Sequence, residues 1–103
     1  RPLRQLPQGA AVTPKRCLLD GRQRSKRAVL AKIGRDLGWD RPLTNLDALY
    51  DVLRREIRGP FEIVWRLTPQ SQQALATDFA TLSATLREAA AERPDMRLEI
   101  TPV

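Results

Sequence analysis

Two aspartates four residues apart, Asp47 and Asp51, flank Tyr50 in the run Thr44-Asn45-Leu46-Asp47-Ala48-Leu49-Tyr50-Asp51-Val52-Leu53. On a helix, positions i and i+4 share one flank, so this run would aim two carboxylates and a phenol at something outside the core. Carboxylates held on a rigid rod can take Lys or Arg donors in charge-assisted hydrogen bonds. Like charges at that spacing also repel, at a cost of roughly a few tenths of a kcal/mol. Two compensations are open. The local one places Asp47 in the first turn, where the helix dipole favours an anion, and lets Asp51 reach Arg54 or Arg55 one turn later. The other is a cationic partner protein.

Other chemistries find little support. The chain has no histidine, which removes the commonest general base and the commonest metal ligand together. Cys17 is the single cysteine and stands beside Leu18 and Leu19, in surroundings that suit an inert buried thiol and offer no activating base. We therefore expect no catalytic residue, no metal ligand set and no cofactor: not an enzyme.

The net charge of +6 is unevenly placed. Residues 1–35 carry ten Lys and Arg against Asp20 alone, whereas residues 36–103 carry eight Arg against eleven carboxylates, a surplus of nine and a deficit of three. The segment with the paired aspartates is thus mildly acidic in a basic chain. No run approaches the roughly 18 apolar residues of a membrane span, and no charged start leads into an apolar stretch, so a cytoplasmic protein is expected.

The elements that must position the aspartates follow from period and punctuation. Pro2, Pro7 and Pro14 forbid a continuous helix over residues 1–14, which read as a Pro-rich basic arm ahead of one domain at 15–103. Arg16 to Leu19 reads as a buried strand closed by Asp20-Gly21. Ser25 can cap a helix running to about Leu37 on Val29, Leu30, Ile33 and Leu37, with Gly38 to end it. A second helix is expected from about Asn45 to Arg58, with Thr44 or Asn45 as its N-cap and Thr44 with Asp47 resembling a capping box. It stops at Gly59-Pro60. Phe61 to Trp65 reads as a strand. Thr68-Pro69 opens a short helix to about Leu75, and Asp78 to Glu92 forms a longer one with Phe79, Leu82, Leu86 and Ala89 inward. Met96 to Thr101 alternates as a half-buried strand. Strands separated by helices imply parallel pairing: an α/β fold, one three-stranded parallel sheet packed with about four helices as a single pair of layers.

The run NLDALYDVL resembles the signature of the barstar family, intracellular inhibitors of barnase-type ribonucleases. Asp20 to Ser25, PFEIVW at Pro60 to Trp65 and LREAAAERPDMRLEI at Leu86 to Ile100 follow the family pattern in order, so that the resemblance spans roughly Arg16 to Thr101. It implies the same three-stranded fold. It also implies a noncatalytic inhibitor whose second helix, the loop before it and an acidic residue on the last helix cover a nuclease active site, with carboxylates in the place of substrate phosphates. By position, Asp51 matches the central phosphate-mimicking carboxylate and Asp47 the second acidic contact. Tyr50 matches an aromatic contact, Glu88 the acidic residue of the last helix, and Asn45 the helix-opening asparagine. Each has a competing structural role: helix capping for Asp47 and Asn45, core packing for Tyr50, plain solvation for Glu88. The family loop carries aromatics and a glycine, where this chain has Asp40-Arg41-Pro42-Leu43-Thr44. Arg41 puts a cation there that could pair with Asp47 or Asp51, with Asp40 beside it to offset the charge.

The expected partner is thus a ribonuclease or nuclease toxin, bound one to one. A second reading is nucleic-acid binding through Arg22, Arg24, Lys26 and Arg27, which lack the interleaved aromatics of single-strand binders. A third reuses the fold as a general protein-interaction module.

Overall fold

The computed structural model describes residues 14–102. The arm expected over residues 1–14 falls, except for Pro14, outside that range. Three strands, β1 (Lys15–Leu19), β2 (Phe61–Leu67) and β3 (Met96–Pro102), pair in chain order and in parallel. Four α-helices connect them: α1 (Lys26–Asp36), α2 (Leu46–Asp51), α3 (Pro69–Leu75) and α4 (Thr77–Glu92). The α/β architecture expected from the alternation of elements is the one observed.

Strand register decides which residues face the helices. Cys17, Ile63 and Leu98 align across the sheet, as do Leu19, Trp65 and Ile100, and these alternate residues form the sheet side of the core. The opposite face carries Arg16, Glu62 and Arg97 in one row, with Arg16 Nε 3.4 Å from Glu62 Oε1. From the helices come Val29, Leu30, Ile33, Leu49, Leu53, Leu82, Leu86 and Ala89. Trp65 lies at the centre, fully buried, its ring meeting the half-buried Phe79 edge-on at 5.4 Å.

Local chemistry accounts for the element ends. The Ser25 hydroxyl accepts the Ala28 N–H and starts α1, and Gly38 at φ 78° ends it in a conformation that a side chain would strain. Between the two possible caps of α2, Asn45 prevails: its Oδ1 accepts the Ala48 N–H at 2.8 Å. The box suggested for Thr44 and Asp47 does not form. A reciprocal box does close at α3, where Thr68 and Ser71 exchange hydrogen bonds and Pro69 occupies the first turn.

The second helix departs most from expectation. A single α-helix was expected from Asn45 to Arg58, but after Asp51 the chain widens into a π-helical turn, Val52–Glu56. There the Ile57 N–H donates to the Val52 carbonyl five residues back. The widening leaves carbonyls to be satisfied, and Arg93 satisfies them. Its guanidinium donates to the Leu53 and Ile57 carbonyls, grips Asp95 with Nε and Nη2 at 2.9 and 2.8 Å, and lies over the Phe61 ring at 4.8 Å. A positive group at the C-terminal end of a helix also complements its dipole.

Candidate functional site

The α2 axis is fixed by what it buries. Leu49, Val52, Leu53 and Ile57 enter the core, and α4 packs alongside. The residues between them in the helical period therefore face outward, and Asp47 and Asp51 are both exposed. Asp47 sits in the first turn, where the positive end of the helix dipole stabilises it. Asp51 keeps 65% of its side chain accessible. Tyr50 is half-buried and packs against the core edge, so both roles considered for it, packing and surface contact, are open to the one ring.

One arginine organises this surface. Arg54 Nη2 lies 3.7 Å from Asp51 Oδ1, and its Nη1 lies 3.4 Å from Glu92 Oε1 at the end of α4. Its guanidinium also sits 4.9 Å from the centre of the Tyr50 ring. Arg54 thus joins Tyr50, Asp51 and Glu92 across two elements. The contact to Asp51 is long and solvated, so it neutralises the carboxylate only in part and leaves its outer lone pairs open. Arg54 Nε is buried with no acceptor among the described residues.

Other candidates are placed but not joined. Glu88 is exposed on α4, one turn before Glu92, and Asp40 is exposed in the loop before α2. Among the described residues neither these two nor Asp47 takes part in an ion pair. Arg41, considered as a partner for Asp47 or Asp51, pairs with neither: it turns to the half-buried Trp39, 6.0 Å from the ring centre. Asn45 is engaged as the α2 cap. Sequence reasoning did not single out Glu92 or foresee that Arg54 would reach it. The available signal was the i,i+4 spacing of Glu88 and Glu92, which puts both on one flank of α4.

Of the basic residues considered for nucleic acid, Arg24 is exposed and Lys26 and Arg27 line one groove together with Leu30 and Leu43. Arg22 leans on Asp20 at 3.7 Å, and the Arg22 N–H holds the Asp20 carboxyl below its ordinary value. Asp95 is likewise held low, chiefly by its hydrogen bonds from Arg93. No His/Cys/Asp/Glu cluster among the described residues could hold a metal ion, and no helix there is long and apolar enough to cross a membrane.

A two-layer α/β scaffold, with a three-stranded parallel sheet and a second helix presenting carboxylates to solvent, defines a barstar-like protein. The family model described as Barstar (barnase inhibitor) matches residues 16–101, and the chain belongs to that family. No curated protein matches it.

Proposed function

We propose that this chain binds and occludes the active site of a ribonuclease or nuclease toxin, as an immunity protein or antitoxin acting one to one in the cytoplasm that makes or meets the toxin. The working unit is the domain at 15–103. Asp51, and Asp47 one turn before it, take the enzyme's phosphate-binding cations, with Tyr50 and Glu88 beside them and the Asp40–Arg41 loop at the rim. A nuclease must hold cationic donors to neutralise phosphate, and a carboxylate on a rigid helix can accept those donors without rearrangement. The observation that carries this reading is the exposure of Asp51: it stands on a helix locked into the core and, among the described residues, has one long ion-pair contact, to Arg54.

Titration of the cognate nuclease tests it. Asp51→Ala should weaken binding by at least about 2 kcal/mol, the general threshold for an interface hot spot, a generalisation to which the barnase–barstar pair itself contributes. Unchanged inhibition by that variant would remove the mechanism.

A further inference from the structure

A groove of about 490 Å³ runs between α1 and the loop that leads into α2. Its floor is aliphatic: Leu30, Ala31, Pro42 and Leu43. A shallower continuation shares those four residues and extends to Trp39 and Arg41. Lys26 and Arg27 rim one end, Arg35 and Arg41 the other, against Asp40 alone. Lys26, Arg27 and Arg41 have no ion-pair partner among the described residues. Arg35 has only a 3.9 Å contact to Asp36, whose carboxylate is already held by Lys32 at 2.7 Å. Unpaired cations around an apolar trough are complementary to an apolar side chain flanked by carboxylates.

We propose that this groove docks an acidic segment of a partner protein, with one aliphatic side chain on the Leu30–Pro42 floor. Its flanking carboxylates meet Lys26 and Arg27 at one end and Arg41 at the other. A polypeptide fits better than RNA, because successive bases need stacking platforms and the lining offers one aromatic ring, the half-buried Trp39. The groove reaches Thr44, next to the α2 cap, so a single partner could span it and the carboxylate face. The groove does not depend on those carboxylates, and the inference goes beyond inhibition.

The test uses the full chain and a fluorescein-labelled peptide rich in Glu with two leucines, followed by fluorescence anisotropy. The double variant Arg27→Glu/Arg41→Glu should weaken the peptide by about tenfold or more, and replacing the leucines by serine should do the same. Arg66→Glu, on the helix-free face of the sheet, and Asp51→Ala should leave it unchanged. The second control separates this inference from the fate of the inhibitor reading. The proposal is overturned if the peptide does not bind, if Arg66→Glu costs as much as the groove variants, or if an oligouridine of equal charge binds more tightly and displaces the peptide.

Discussion

At the scale of single residues, the decisive side chain is Arg54. It touches Tyr50, Asp51 and Glu92 together, so it both orders the carboxylate surface and dilutes its negative field. These two effects separate kinetically, because a charge at an interface rim acts mainly on association. Arg54→Ala should raise the association rate with a basic nuclease by about two- to fivefold at low salt and steepen its salt dependence. Stopped-flow mixing across a salt series measures this. A slower association in the variant would mean that Arg54 contacts the partner directly.

At the scale of elements, Arg93 holds the widened end of the second helix. The side chain is only 13% exposed and serves two backbone carbonyls, a carboxylate and an aromatic face together. Lysine can supply the charge but not the planar fork, so Arg93→Lys should lower stability by about 2–3 kcal/mol, read as a shifted urea midpoint at constant slope. Gly59 belongs to the same device, since a Cβ there would overlap the Asp95 carboxylate and crowd Arg93. Gly59→Ala should therefore destabilise as well, and the double variant should lose less than the sum of the two. Strict additivity would show two independent defects instead of one clamp. Legibility in the sequence also divides at this scale. The cap at Ser25 and the Thr68-Pro69 start could be read from local patterns, because each depends on neighbours within four residues, and the parallel pairing could be read from the alternation of strands with helices. The π-helical turn could not: it is held by Arg93, 36 residues beyond Ile57.

At the scale of the whole molecule, Cys17 reports on the integrity of the two layers. Burial, reinforced by the negative charge of Asp36, pushes its thiol up from 9.0 to about 12. Folding then favours the protonated form, so this contribution to stability is complete below about pH 9 and is lost as pH rises toward 12. Urea midpoints should fall more steeply between those limits for the native chain than for Cys17→Ala, which lacks the thiol. Thiol reagents should label Cys17 no faster than the protein opens. Rapid labelling of the folded chain would contradict the burial.

Period, capping residues and the NLDALYD run alone determined the α/β layout, the outward flank of Asp47 and Asp51 and the kinship with barstars, because these are written in residues close together along the chain. Only tertiary structure decided what those carboxylates meet. Arg41 turned to Trp39, Arg54 reached across to Glu92 on α4, and α1 closed against the α2 loop to leave a cation-rimmed groove. Charge pairing depends on distances of a few ångströms between elements far apart in sequence, and only packing sets those distances.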